Sequence, residues 1–167
     1  MSIALIAACA GTEPPRIPDS AASLDNATSV SNLEENAEAG KRDAQYELGR
    51  RLELGDGIQR DAEGATRWYL AAANQGHLKA MVRLGSLYIR KEARSDQELG
   101  LRWLRRGADQ GDMDAAKELS YAYLEGRGVE PDPAASTQIL TVAAKSGDPQ
   151  AQFLLGFAYN HGIGVPR

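Results

Sequence analysis

Catalysis and metal binding need titratable or nucleophilic side chains that converge on one point, and this chain is poor in them. Among 167 residues there is one cysteine, Cys9, and there are two histidines, His77 and His161. A lone thiol excludes an intrachain disulfide. No H-E-x-x-H, no metal-spaced Cys/His cluster, no G-x-S-x-G and no glycine-rich phosphate loop occurs. The stretch "GDGIQRD", Gly55 to Asp61, lacks the alternating oxygen ligands and closing glutamate of a calcium loop. His77 follows Gly76 where other segments carry Lys41, Asp112 and Asp148, which reads as a solvated turn residue. His161 reads as a cap at a helix C-terminus, where the dipole favours a cation. The expectation is no cofactor, no metal and no enzyme.

The elements that position the remaining polar side chains show themselves as a repeat. Gly40, Gly76, Gly111 and Gly147 are spaced 36, 35 and 36 residues apart. Four residues after each stands an alanine (Ala44, Ala80, Ala115, Ala151), and four further a leucine (Leu48, Leu84, Leu119, Leu155). The next column reads Gly49, Gly85, Ser120, Gly156, and three beyond it Leu52, Tyr88, Tyr123, Tyr159. Apolar or small residues at offsets 0, 4, 5 and 8 lie along one stripe of a 3.6-residue helix, here helix A. A loop follows, "GDGI", "GRGV" or "GIGV", whose glycines permit the positive φ that ends a helix. Asp61, Asp96 and Asp132 then stand as expected N-caps of helix B, with Pro133 at the first helical position of the third unit. Trp68, Trp103 and Ile139 come seven residues after these caps, and Ala72, Gly107 and Ala143 eleven after, as a bulky knob and a small gap. On this reading the tryptophans are packing knobs, and truncating one costs about 3–5 kcal/mol. The second unit departs from the pattern: it lacks the glycine pair and reads "IRKEARSD".

The combined pattern A-x-x-x-L-G-x-x-Y, G-x-G-V and D-x-x-x-x-x-x-W-x-x-x-A-A resembles the Sel1-like repeat, a relative of the tetratricopeptide repeat. The resemblance covers residues 40 to about 165. It implies an all-α, right-handed αα-hairpin solenoid of about three and a half repeats, used as a scaffold for protein contacts. The units are 40–75, 76–110, 111–146 and a partial 147–167. Upstream, Ser31 and Glu34 suggest a capping box, and Ala37 falls where a helix B alanine belongs, so 31–39 reads as a degenerate capping helix.

At offsets 3, 6 and 10 of helix A the units disagree: Glu47, Arg50, Leu54; Arg83, Ser86, Arg90; Glu118, Tyr121, Glu125; Leu154, Phe157, His161. Variation inside a repeating frame marks positions free of packing constraint. In related solenoids helix A lines the concave surface, so the expected partner contacts are Arg50, Arg83, Arg90, Tyr121 and Phe157. The last helix A leaves Phe153, Leu154, Leu155, Phe157 and Tyr159 without a helix B to cover them, and self-association or capping by a partner is expected there.

With 43% hydrophobic and 25% charged residues the composition is that of an ordinary soluble domain. A formal net charge of -4 argues against a nucleic-acid partner. Ile3 to Ala8 is apolar and ends in "IAAC", which resembles the bacterial lipobox, with Cys9 as the lipidated residue. The run is short and no Lys or Arg precedes it, so it is either the end of a longer signal segment or a plain apolar N-terminus. Residues 1–9 are thus assigned to a signal segment and 10–30, with "AGTEPPRIPDSAAS", to a flexible tether. The expected function is a non-enzymatic scaffold of a bacterial envelope complex, placed in the periplasm or outer membrane and joined to the membrane only through the Cys9 lipid. The alternatives are an envelope hydrolase or ligand-binding protein, and a cytoplasmic signalling regulator built from the same repeats. Lone arginines and glutamates without a base or nucleophile favour the scaffold.

Overall fold

The computed structural model describes residues 20–165, with side chains from residue 29 onward. Eight helices fill this span: α1 (Ser20–Glu38), α2 (Arg42–Leu54), α3 (Ala62–Asn74), α4 (Leu78–Ile89), α5 (Arg94–Asp109), α6 (Met113–Glu125), α7 (Pro133–Lys145) and α8 (Pro149–His161). Each helix packs against the next, and α4 also touches α6, so α2, α4, α6 and α8 form the helix A series and α3, α5 and α7 the helix B series. The architecture is an all-α hairpin solenoid, and its interior runs as successive clusters from Ala37 and Leu48 through Leu84 and Leu104 to Leu140 and Ala151.

The glycine column sets how closely the two helices of a hairpin approach. A Cβ on Gly49 would lie 2.8 Å from the Tyr69 ring, and one on Gly85 would lie 2.6 Å from Leu104. Only hydrogen fits beneath these side chains. Tyr69 and Leu104 are fully buried, whereas Trp68 and Trp103 are half-buried. Both tryptophans pack against the core cluster as expected, while the residue after each, Tyr69 or Leu104, fills the glycine seam. A stripe on a helix is wide enough to hold two neighbouring positions, so spacing alone did not separate them.

The loops lock successive units together. Gly55, Gly126 and Gly162 end their helices in the left-handed region, with φ of 75°, 72° and 66°. The Asp61 and Asp132 N–H groups donate back to Leu52 and Tyr123 carbonyls at 2.9 and 2.8 Å, closing each hairpin. The loop of one unit also rests on the start of the preceding helix B. Gly128 N–H donates to Gln97 Oε1 at 2.9 Å, and a Cβ on Gly128 would meet the Gln97 carbonyl carbon at 2.6 Å. Thr137 Oγ1 donates to the Ile163 carbonyl at 3.0 Å in the same way one unit later.

Three expectations need correction. Asp96 is not an N-cap: α5 starts at Arg94 after Ala93, which makes no side-chain cap, and Asp96 lies in the first turn. The shortened loop brings the helix start forward, and Gln97 Nε2 donates to the Lys91 carbonyl at 2.8 Å across it. The helix expected over 31–39 is the C-terminal part of α1, so Ser31 sits mid-helix and opens no capping box. Residues from Ser20 on are accordingly helical rather than tether; no proline or glycine stands between Pro18 and Gly40 to break the helix. The α1 helix stands where the helix B of a preceding unit would, packed against α2. Gln45 Nε2 donates to the Ala37 carbonyl at 3.1 Å, just as Gln152 Nε2 donates to the Ala144 carbonyl at 3.1 Å. Cys9, the signal segment and residues 10–19 lie outside the described residues.

Candidate partner-binding groove

Helix A residues build a groove of about 410 Å³ whose lining comes from α2, α4, α6, α8 and the caps beside them. Arg83, Ser86 and Arg90 rise from α4 and its C-cap, and Glu118 and Tyr121 face them from α6. Arg83 and Arg90 are seven residues apart, two helical turns, which sets both guanidiniums on one face. Of the expected contacts, Arg83, Arg90 and Tyr121 share this groove.

Arg50 and Phe157 lie elsewhere. The Arg50 guanidinium donates to both Glu47 oxygens at 2.9 and 2.8 Å and to Asp56 Oδ2 at 3.1 Å. These bonds hold the Glu47 carboxyl below its usual range, chiefly through Arg50. Phe157 lines a smaller apolar cavity of about 140 Å³ between α6, α7 and α8, which Tyr121 also borders, and stacks on His161 at 4.0 Å. His161 Nδ1 lies 2.9 Å from the Phe157 carbonyl, at the end of α8.

Charges lining the groove differ in what already occupies them. The Glu53 carboxylate accepts the Tyr69 hydroxyl at 2.6 Å, and Asp112 Oδ1 accepts the Ala115 N–H at 2.9 Å as N-cap of α6. Burial, helped by Glu53, pushes the Tyr69 phenol far above its ordinary range, so the hydroxyl stays protonated and donates. Asp114 pairs with Lys117 at 3.0 Å, and that hydrogen bond raises the Lys117 pKa. Lys117 also reaches Asp148 at 3.6 Å and Gln150 at 2.9 Å, tying α8 to α6. Among the described residues Lys79, Arg83, Arg90 and Glu118 have no ion pair within 4.0 Å. The groove thus offers three cations without a side-chain partner against one such carboxylate, Glu118, while its formal charges balance: Lys79, Arg83, Arg90 and Lys117 against Glu53, Asp112, Asp114 and Glu118.

Sequence reasoning missed Lys117 and Tyr46, which line the groove two positions after the column alanine, and Lys79, one position before it. The column two positions on reads Tyr46, Val82, Lys117 and Phe153, as heterogeneous as the columns that were singled out. His77 is also placed differently from expectation. Its Nδ1 accepts the Ala80 N–H at 3.1 Å as N-cap of α4, its ring stacks on Tyr46 at 4.4 Å, and its side chain is 14% exposed. Burial lowers its pKa, outweighing the opposing pull of Asp43 3.7 Å away. A neutral ring is what the cap needs, because protonation would remove the accepting lone pair.

At the far end, Phe153, Phe157 and Tyr159 of α8 are 72, 48 and 59% exposed, and a Cβ on Gly156 would meet nothing within 4 Å. Among the described residues no group of three or more His, Cys, Asp or Glu side chains is placed to hold a metal ion. No helix of these residues is long and apolar enough to cross a membrane.

The fold is shared with known proteins. The Sel1 repeat family model matches residues 42–77, 78–112, 114–148 and 149–167. Over 130 residues the chain is 26% identical to the uncharacterized protein NMB1327 of Neisseria meningitidis, covering 78% of this chain and 27% of that protein. It is 32% identical over 130 residues to the chitin synthase regulator SKT5 of Saccharomyces cerevisiae, covering 74% of this chain and 19% of the regulator. The chain therefore spans about a quarter or less of these curated relatives. Among solved structures it is similar to c5321, a protective antigen of uropathogenic Escherichia coli with an SLR fold, at 32% identity and a TM-score of 0.75, covering 83% of this chain and 30% of that one. A Sel1 repeat protein from Oxalobacter formigenes matches at 32% identity and a TM-score of 0.74, over 87% of this chain and 57% of that one. The Helicobacter pylori cysteine-rich protein B, at 16% identity and a TM-score of 0.58 over 80% of this chain and 96% of that one, shares the fold. Proteins with this fold are commonly non-catalytic scaffolds for protein–protein contacts. With four matched segments over most of its length, the chain belongs to the Sel1 repeat family.

Proposed function

We propose that this protein is a non-enzymatic adaptor that holds an acidic segment of a partner protein in the helix A groove, against Arg83, Arg90 and Tyr121. The observation that carries this reading is which groove side chains are already occupied: Lys79, Arg83 and Arg90 make no ion pair or side-chain hydrogen bond, whereas Glu53, Asp112 and Asp114 each already accept one. Guanidiniums on one helix face recognise carboxylates by paired hydrogen bonds, and an exposed tyrosine between them supplies apolar area. The role in the yeast relative's name, regulation of chitin synthase, fits an adaptor that works through a partner.

The reading extends to place. A lipidated Cys9 would tether the solenoid to a bacterial envelope, in the periplasm or at the outer membrane, and the exposed aromatics of α8 would serve self-association or a second contact. Mass spectrometry of the native protein tests the anchor: diacylglyceryl cysteine supports it, and an unmodified thiol on a native chain that begins upstream of it removes it.

The adaptor itself is tested by pull-down from the source cell with wild type and with Arg83→Glu combined with Arg90→Glu. Both side chains are exposed, so the double variant melts within about 0.5 kcal/mol of wild type. A partner lost from that variant and kept by Arg67→Glu, on α3, supports the groove; equal recovery by all three proteins rejects it.

A further inference from the structure

The second and third hairpins place different side chains on the same frame, and the difference opens a second cavity. Counting from the turn glycines, Met81 and Ala116 hold one position, Trp103 and Ile139 another, and Arg106 and Val142 a third. In the second hairpin Met81 is fully buried, Trp103 packs against the cluster that contains it, and the Arg106 guanidinium lies over the indole at 5.6 Å from the ring centroid. In the third hairpin all three positions carry smaller side chains. There the structure has a cavity of about 560 Å³ between α5, α6 and α7, floored by Ala116 and Ile139 and edged by Met113, Tyr123 and Val142. Val142, where Arg106 covers the ring one unit earlier, is 66% exposed. The volume falls within the range of sites that take small organic groups.

We infer that this cavity is a second binding site, which accepts a tryptophan side chain inserted by a partner polypeptide. The occupant follows from the molecule itself: the preceding repeat seats an indole at the equivalent position, on the same backbone frame. Selection is by shape and apolar contact rather than by a directed hydrogen bond, since the Trp103 Nε1–H is buried without an acceptor in the filled version of the site. Tyr123 forms one wall and is held in place by Arg105, whose guanidinium donates to the Tyr123 hydroxyl and lies 5.8 Å from its ring centroid. Only Asp112 is shared with the lining of the helix A groove, so this site stands or falls independently of the proposed adaptor role.

The test uses N-acetyl-L-tryptophanamide as probe, with N-acetyl-L-alaninamide as control, titrated into the full chain and followed by amide chemical shifts. Ile139→Trp fills the cavity with the side chain the second repeat uses, and Ala116→Met raises its floor as Met81 does. The expected result is saturable shifts at Ala108, Ala116 and Val142 with the tryptophan probe only, weakened at least tenfold in Ile139→Trp. If that variant does not melt cooperatively, Ala116→Met carries the comparison with the same expectation. No saturable shift in the wild-type chain, or shifts of unchanged midpoint in the cooperatively folded variants, overturns the assignment.

Discussion

The α4–α5 hairpin and the α6–α7 hairpin have the same helix order and are followed by the same glycine turn, at Gly111 and Gly147, yet one is filled and the other is not. Leu104 lies over Gly85 so closely that no methyl group fits between them. At the matching place in the next unit, Ser120 and Ser136 share a hydrogen bond of 3.0 Å, and cavities of about 560 and 140 Å³ flank the hairpin. The repeat columns therefore fix the path of the backbone, while the size of a few side chains decides whether a seam is closed or receptive. Binding capacity in such an array comes from what a unit omits as well as from what it displays.

Truncation gives the largest test of this contrast. Leu104→Ala should lose stability toward the upper part of the roughly 2–5 kcal/mol typical of buried leucines, and Leu140→Ala, which already borders a cavity, should lose less. Urea unfolding of the two variants gives the order; a larger loss at Leu140 would break the comparison. Glycine replacement comes next and should change sign along one column. Gly85→Ala forces a methyl into Leu104 and is expected to cost about 1–3 kcal/mol. Gly156→Ala adds a methyl in open space within α8 and should stabilise by about 0.5–1 kcal/mol.

A smaller effect depends on pH. The folded-state pKa of His77 is lowered, so below its ordinary value near 6.5 the unfolded chain takes up a proton that the folded chain resists. Its contribution is present above about pH 6.5 and is lost as pH falls toward the lowered folded value. His77→Asn keeps an N-cap without titrating. The difference in melting temperature, wild type minus variant, should therefore fall as the buffer is taken from neutral to mildly acidic, and a constant difference would contradict the capping role. The smallest effect belongs to Arg50. Its guanidinium is held by Glu47 and Asp56, so Arg50→Ala should change partner recovery less than Arg83→Ala, with a stability change of about 0.5 kcal/mol at this partly exposed site.

What was legible in the sequence, and what was not, divides along physical lines. Gly49 and Gly85, the paired loop glycines and the caps Asp61 and Asp132 were legible because each serves one steric or hydrogen-bonding need that recurs in register. The alternation at offsets 3, 6 and 10 also led to Arg83, Arg90 and Tyr121, which share a groove. Arg50 lies outside that groove, held by Glu47 one turn back and by Asp56 in the loop, and spacing says nothing of where a loop carboxylate points. The Trp68 and Trp103 columns drew attention through rarity, while the side chains that fill the seam, Tyr69 and Leu104, differ from unit to unit and so form no visible motif. Asp96 followed the column but not the structure, since one missing loop residue moved the helix start past it. The cavity beside Ile139 left no mark in the sequence, because it arises only where three helices meet around small side chains.

The central claim, that partners meet this protein on its helix A side, is tested most directly by site-specific photo-crosslinking in the source cell. A benzophenone side chain is placed at Tyr121, in the groove, and in a second strain at Arg67, exposed on α3 outside both cavities. The account predicts a discrete protein adduct from position 121 and none from position 67. An adduct from position 67 with none from position 121 would contradict it.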